Sequence, residues 1–311
     1  MTRALAWVGA RAHVLLVLGM ALCFVAPSLS DALRPFLPLN VVLVLGLAMA
    51  RIELAATARA ALRPRAALGL LGLALALGPA SALAYLGLAR VLGLDANLTA
   101  ALVYLAAAPP IASAGSLCFM LGYDARRAIE VTIAATLLVP VLGPLTIEAL
   151  LPGAHPLSPW ELARSLAFMV AGGTALAVAI RRFAGPARIA ANPHVFDGLA
   201  TLALIALVLP LFSGVPDLIL SEPARSALVL AAALAMNLGV NLGARAALAR
   251  RASAASAGAY GVLFGNRTIA MYVAALPDDP RLALFVALYQ VPIMLTPIVL
   301  RRLDASRGRR A

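Results

Sequence analysis

The chain has 311 residues, of which 63% are hydrophobic and 12% are charged, and its net charge is +12. Soluble domains contain about 45–50% apolar and about 25% charged residues, so this composition excludes a water-soluble globule and argues against nucleic-acid binding. Cys23 and Cys118 lie in apolar runs, which excludes a disulfide scaffold, and His13, His155 and His194 lie apart, without the spacing of a metal site. The chain is therefore predicted to be an all-α integral membrane protein.

Apolar runs separated by arginine, proline or aspartate predict the membrane-spanning helices. A hydrocarbon core about 30 Å thick needs about 20 residues per helix. Ten such runs lie near residues 13–29, 36–50, 66–90, 98–122, 128–151, 162–180, 198–214, 225–249, 254–276 and 282–300.

The distribution of arginine predicts the orientation of these spans, because cytoplasmic loops are enriched in positive charge. All 25 basic residues are arginine, and 19 of them fall on the side of the N-terminus. Arg164 lies in the outer part of the sixth span and Arg267 lies inside the ninth, while the opposite side holds Arg34, Arg90, Arg225 and Arg281. We therefore expect an inner-membrane protein with both termini in the cytoplasm.

The N-terminal segment has a second interpretation. Residues 1–31 also have the pattern of a secretory signal, with Arg3 and Arg11, an apolar stretch and then Ser28-Leu29-Ser30-Asp31. Removing that segment would leave four spans to match against five. Retaining it gives five spans in each of residues 1–151 and 152–311, and we favour that interpretation.

Two halves of five spans each predict an inverted repeat, as in many secondary transporters, because an odd number of spans returns the chain to the opposite side. The fourth span of each half is interrupted at a matching place, roughly 155 residues apart. The expected hinges are Pro109, Pro110 and Gly115 in the first half and Gly261 and Gly265 in the second. Single kinks are common in membrane helices, but paired breaks favour a binding site where helices four and nine cross at the midplane.

Arg267 is the charged residue that lies deepest in a predicted span. An unpaired arginine at the bilayer centre costs at least about 2.5–3.5 kcal/mol. A carboxylate, backbone carbonyls, water or an anionic substrate must offset that cost. Two interpretations stay open: a functional arginine, or a structural one bound to the carbonyls of the broken fourth helix.

Few other polar side chains lie in the spans. Glu130 is a candidate for proton coupling, although it could instead pair with Arg126 and Arg127 at the membrane boundary. Asn237 and Asn241 lie one turn apart on one face of the eighth span, where they could line a site or bridge helices. Thr132, Thr136, Tyr289 and Gln290 complete the short list of polar residues in the spans.

These features together resemble the bile acid:sodium symporter family. The family's Pro-Gly-Gly-Thr-Ala-Ser-Asn stretch of the fourth helix is resembled by Pro110-Ile111-Ala112-Ser113-Ala114-Gly115-Ser116. Its Gln-Asn-Ser-Gly-Leu-Ala stretch of the ninth is similar to Gly265-Asn266-Arg267-Thr268-Ile269-Ala270.

The resemblance implies a panel domain of helices 1, 2, 6 and 7 and a core domain of helices 3–5 and 8–10. It also implies sodium-coupled secondary transport of a small or amphipathic organic anion by alternating access. The substrate would bind between the domains beside the crossing. The substrate-binding residues expected on this basis are Arg267, Asn266, Thr268, Ser113, Ser116, Asn237 and Gln290.

The chain departs from the family at the sodium site. Gly261 and Gly265 stand where the family has a glutamate and a glutamine, and only Asn266 and Thr132 remain as side-chain ligands. Family-type sodium binding is therefore doubtful. We hypothesise that the Arg267 guanidinium replaces the sodium ion and attracts a carboxylate, which it can hold with two donors.

The leading functional prediction is a transporter of an organic anion that is independent of sodium or coupled to protons. A sodium symporter using backbone carbonyls, an exporter related to arsenite efflux permeases, a channel and a sensor stay open as alternatives. A membrane-embedded enzyme is disfavoured because no histidine or aspartate lies inside the spans. The predicted partners are the lipid bilayer and the anion, with no cofactor, metal or nucleic acid.

Overall fold

The computed structural model describes residues 2–52, 63–153 and 157–308, and in these ranges the chain is helical with no named strand. Among the residues used above for topology and metal binding, Arg59, His155, Arg309 and Arg310 lie outside the described residues.

The helices of the described ranges are numbered here in chain order. They are α1 (Thr2–Ala10), α2 (Ala12–Val25), α3 (Pro27–Ala50), α4 (Pro64–Val91), α5 (Ala96–Ala107), α6 (Ala114–Met120), α7 (Ala125–Leu150), α8 (Pro159–Ala184), α9 (Pro186–Ala191), α10 (Pro193–Leu211), α11 (Val215–Ser221), α12 (Pro223–Leu248), α13 (Ala254–Gly265), α14 (Ala270–Ala275) and α15 (Pro280–Gly308).

Seven of these helices, α3, α4, α7, α8, α10, α12 and α15, are long and apolar enough to cross a membrane. Helices α1 and α2 meet at 81° and would count together as an eighth span. Helices α5 and α13 are apolar but shorter, with 12 residues each. The prediction of an α-helical, multi-pass membrane protein is confirmed. Three predicted spans lack a long helix of their own: the first, which coincides with α2, and the broken fourth and ninth.

The boundary between the first two predicted spans is wrong and needs correction. Helix α2 ends at Val25 and α3 begins at Pro27, so the expected loop near residues 30–35 is helical. Pro27 in the first turn of α3 favours this start, because an N–H at that position would have no acceptor within the helix and its absence costs nothing. Arg34, expected in a loop, lies in a 3-10 turn within α3.

Matching features recur in the two halves at nearly constant spacing. Pro223 at the start of α12 lies 159 residues after Pro64 at the start of α4. Each of these helices contains one π-turn, at Ala76–Ala80 and at Ala235–Gly239, again 159 residues apart. The short helix that follows begins at Ala96 in the first half and, 158 residues later, at Ala254 in the second. The two halves therefore share the order of these elements, including the π-turn, which is uncommon in proteins.

The helices pack into two groups. The panel group consists of α1, α2, α3, α8 and α10, in which α3 lies against α8 and α10, and α1 and α2 lie against α10. The core group consists of α4–α7 and α12–α15, which pack mainly on one another. Small residues allow close approach in the panel group, since a Cβ on Gly198 would lie 2.0 Å from the carbonyl oxygen of Leu5.

The buried apolar side chains form one cluster that joins the two groups and two that do not. The joint cluster includes Leu45 and Leu166 of the panel group and Tyr272 and Phe285 of the core group. The other two are confined to the core group (Leu70, Leu77, Cys118, Val131, Val262 and Leu300 among others) and to the panel group (Met49, Ala50 and Ala177). Among residues 2–52, 63–153 and 157–308, the buried apolar interface between the groups therefore lies at the end where α3 and α8 begin.

Candidate functional site

The two broken helices cross at their unwound segments. Residues 108–113 separate α5 from α6, and residues 266–269 separate α13 from α14. The Ile111 N–H donates to the Asn266 carbonyl oxygen at 3.0 Å, and the Thr268 N–H donates to the Pro109 carbonyl oxygen at 2.8 Å. These bonds form an antiparallel bridge, so each break satisfies backbone groups that the other leaves open.

The predicted hinges divide into two sets. Pro109 and Pro110 lie in the unwound segment, as expected from their missing N–H groups. Gly265 is the last residue of α13. Gly115 and Gly261 lie inside α6 and α13, so the prediction of hinges there is wrong; these glycines permit close packing instead.

Arg267 is 2% exposed, and its guanidinium is enclosed by backbone carbonyls. Nε donates to Leu105 O at 3.4 Å and Nη1 donates to Leu263 O at 3.4 Å. Nη2 donates to Ala106 O, at the end of α5, and to Leu77 O, in the π-turn of α4. Four of its five N–H donors are thus engaged, and its partners are the carbonyls expected of the structural interpretation.

The π-turn of the second half serves the same crossing. Asn237 lies in this turn, and its Nδ2 donates to Gly265 O at 2.7 Å and to Asn266 Oδ1 at 3.1 Å. Thr296 of α15 donates to Asn237 Oδ1 at 2.7 Å, and the Tyr289 hydroxyl donates to Gly265 O at 2.5 Å. All four side chains are fully buried. Each half of the chain therefore supplies a π-turn that is hydrogen-bonded to the crossing, through Leu77 O in the first half and Asn237 in the second.

Sequence reasoning did not single out Thr296 or the carbonyl of Leu77. Thr296 lies between Pro292 and Pro297, and paired prolines around a polar residue in an apolar helix are the signal that could have identified it. The carbonyl of Leu77 lies in the π-turn Ala76–Ala80, which contains Pro79, and a proline inside an apolar helix is the signal in the sequence for that irregularity.

Helix α12 lies directly on the glycines of α13. A Cβ on Gly265 would lie 2.5 Å from Asn237 O, and one on Gly261 would lie 2.7 Å from Asn241 O. Neither position has room for a side chain in this packing, least of all for a carboxylate or a carboxamide. The Asn241 side chain is fully buried there, and neither of its polar atoms has a hydrogen-bond partner in the described part of the chain.

The expected substrate-binding residues are not all equally accessible. Arg267, Asn266 and Asn237 are buried within the core group. By contrast, Ser113 and Ser116 are exposed, and Thr268 and Gln290 are half-buried. Thr268 Oγ1 donates to Pro110 O at 3.0 Å, and Gln290 Nε2 donates to Val286 O at 3.1 Å. The second set therefore reaches the surface of the protein, and the first set does not.

Of the three candidates for ion or proton coupling, Asn266 lies at the crossing, and Glu130 and Thr132 lie near the start of α7. Glu130 accepts from Arg126 Nε at 3.0 Å and lies 3.6 Å from Arg127 Nη1, which is the pairing at the boundary. Thr132 is buried, and its hydroxyl has no hydrogen-bond partner among the described residues.

Carboxylates outside the spans fix the ends of core helices. Asp95 caps α5 by accepting from the N–H groups of Asn97 and Leu98, and Arg225 donates to it at 2.8 Å. Burial opposes the charged form of Asp95, but the bonds from Leu98, Arg225 and Asn97 outweigh it and lower its pKa. The hydrogen bond from Arg281 lowers the pKa of Glu222 in the same region.

Comparison with models of known protein families gives no match, and neither does comparison with curated proteins. Within residues 2–52, 63–153 and 157–308, no group of three or more histidine, cysteine, aspartate or glutamate side chains could hold a metal ion.

Proposed function

We propose that the chain is a secondary transporter of a small or amphipathic organic anion and a divergent relative of the bile acid:sodium symporters. The observation that carries this proposal is the crossing of two unwound segments at matching places of the two halves. Broken helices at such places form the binding sites of many secondary transporters. The panel and core groups would move against each other, giving alternating access to that crossing.

In this proposal the chain crosses the bilayer ten times, and its two halves form an inverted repeat. The seven long helices, the bent pair α1–α2 and the two broken helices would together cross the bilayer ten times. Five crossings per half would place the second half upside down relative to the first. The arginine distribution would then put both termini in the cytoplasm, at the inner membrane.

In this proposal the Arg267 guanidinium replaces a bound cation and is covalently attached to the chain. Carbonyl oxygens from Leu77, Leu105, Ala106 and Leu263 surround its charge, much as oxygen ligands surround a hard cation. The same carbonyls are then not free for sodium, which disfavours a symporter that uses them. The loss of side chains at Gly261 and Gly265 points the same way.

The solute would be contacted by residues on the accessible side of the crossing. Ser113, Ser116, Thr268 and Gln290 offer hydroxyl and amide groups there. The fixed charge of Arg267 lies behind them in a medium of low dielectric, where its field extends further than it would in water. An anion is therefore favoured over a cation, without direct contact with the guanidinium.

Uptake by vesicles containing the purified protein tests the proposal. Candidate carboxylates and sulfonates are first chosen by thermal shift, with and without sodium. We expect uptake of an anion that persists without sodium, and its loss in Arg267→Ala. The matched control is Arg164→Ala, because Arg164 is exposed on α8 and should not affect uptake. Strict sodium dependence, or full uptake in Arg267→Ala, would contradict the proposal.

A further inference from the structure

With one exception, each ion pair of the described residues joins two side chains of the same helix group. The panel group contains Arg51–Asp197 and His194–Asp197. The core group contains Arg126–Glu130, Arg127–Glu130, Arg225–Asp95, Arg225–Glu222, Arg245–Asp304 and Arg281–Glu222. In the ranges that the structure describes, only Arg34–Asp278 joins one group to the other.

This pair lies at the end where the groups share their buried interface. Arg34 belongs to the 3-10 turn of α3, and Asp278 belongs to the loop between α14 and α15. The Arg34 side chain is 19% exposed and that of Asp278 is 70% exposed. Arg34 Nη1 is buried without a hydrogen-bond partner in the described residues, so separation of the groups would let water reach it.

At the opposite end, the hydrogen bonds of the described residues lie within one group or the other. Arg181 of α8 donates to the carbonyls of Ala50 and Ile52 within the panel group. Tyr123 donates to Asp304 at 2.6 Å and accepts from Arg245 at 2.9 Å within the core group. The apolar clusters at this end are also separate. Contacts between the groups are therefore concentrated on the Arg34 face.

We infer that Arg34 and Asp278 form a latch that closes the transporter on one face, and that this structure is the conformation open on the opposite face. With the proposed topology the latch is external and the open face is cytoplasmic. The inference rests on the proposed function, because it assigns the two faces to two states of one transport cycle. Breaking the latch should favour the conformation open to the outside.

Accessibility of a single cysteine at the crossing tests this inference without requiring transport. The two native thiols are buried, so Cys23→Ala with Cys118→Ala gives a silent background, and Ser116→Cys adds an exposed reporter. A membrane-impermeant maleimide is applied to intact cells and to inverted membrane vesicles. With the latch intact, we expect labelling in the inverted vesicles and little labelling in the intact cells.

Arg34→Gln and Asp278→Asn should each raise labelling in intact cells about two- to fivefold, the change in population expected from an ion pair with an exposed partner. The charge swap Arg34→Asp with Asp278→Arg should return labelling to the starting level. Arg51→Gln is the matched control, since Arg51–Asp197 lies within the panel group, and it should leave labelling in intact cells unchanged.

The labelling results test the latch and the assignment of the open face separately. Equal labelling of the latch variants and the Arg51→Gln control would overturn the latch, as would a charge swap that fails to restore protection. Strong labelling of intact cells before any latch substitution would overturn the assignment of the open face. Uptake is measured separately in the protein that retains Ser116. If the latch variants change labelling as expected but the protein takes up no anion, the proposed function is contradicted and the latch is not.

Discussion

Pro110 and Arg267 lie opposite each other in an antiparallel backbone bridge, although they come from different halves of the chain. Proline has no N–H to donate, so the bonds of the bridge come from the neighbouring residues Ile111 and Thr268. This pairing brings the Arg267 side chain against the last carbonyls of α5. The crossing and the buried cation are thus one structural unit.

Substitution of Arg267 should destabilise the protein as well as affect transport. Arg267→Ala leaves the buried carbonyls of Leu77 and Ala106 without their partner, and we expect a loss of about 2–4 kcal/mol. The loss of stability in Arg267→Lys should be smaller than in Arg267→Ala, because an ammonium group keeps the charge but has fewer donors than a guanidinium. Thermal unfolding in detergent, followed by a thiol-reactive dye on the buried Cys23 and Cys118, measures the change. Unchanged unfolding in Arg267→Ala would show that the carbonyls do not depend on it.

Gly265 should not tolerate even a methyl group. In Gly265→Ala the new Cβ would lie 2.5 Å from Asn237 O, so α12 and α13 must separate, at a cost of about 1–3 kcal/mol. Gly243→Ala is the matched control on α12, because nothing lies within 4 Å of a Cβ at that position. The same unfolding assay compares the two. Equal effects would contradict the close packing of α12 on α13.

Thr296 should stabilise the crossing through its hydroxyl rather than its shape. Thr296→Val keeps the volume but leaves Asn237 Oδ1 without its donor at 2.7 Å, and we expect a loss of about 1–2 kcal/mol. Thr146→Val is the control, since the buried Thr146 hydroxyl donates only to Leu142 O in its own helix. If both variants unfold at the same temperature, the link between Thr296 and Asn237 contributes nothing.

Asp95 should make stability depend on pH under acidic conditions. Because its pKa is lowered in the folded protein, its contribution is present above the ordinary aspartate pKa of about 3.9 and is lost as the pH falls through the lowered value. We expect Asp95→Asn to reduce the loss of melting temperature below about pH 4. Asp217→Asn, at an exposed position of α11, should leave that loss unchanged.

The sequence was sufficient for the apolar segments, the paired breaks and the burial of Arg267, because hydropathy, proline and charge are local properties. It placed the start of the second span too late, because the first predicted span runs past Pro27 to residue 29, whereas Pro27 begins the second helix and Pro35 fits the 3-10 turn within it. It also took Gly115 and Gly261 for hinges. Glycine serves close packing as readily as it serves a break, and only the neighbouring helix distinguishes the two.

The partners of Arg267 could not be predicted individually. The structural interpretation anticipated carbonyls of the broken fourth helix, and Leu105 and Ala106 supply them. Leu77 comes from a π-turn in another helix, and a π-turn has no sequence pattern as clear as that of a proline break. The pairing of Asn237 with Thr296 depends likewise on how α12 and α15 are rotated against each other.

The enclosure of Arg267 also has a thermodynamic consequence. A charge that belongs to the polypeptide returns to its starting place after every cycle, so no ion gradient does work through it. A carrier with such a fixed charge would equilibrate its solute according to the solute's own electrochemical potential. Accumulation against that potential would require a mobile ion bound elsewhere in the protein.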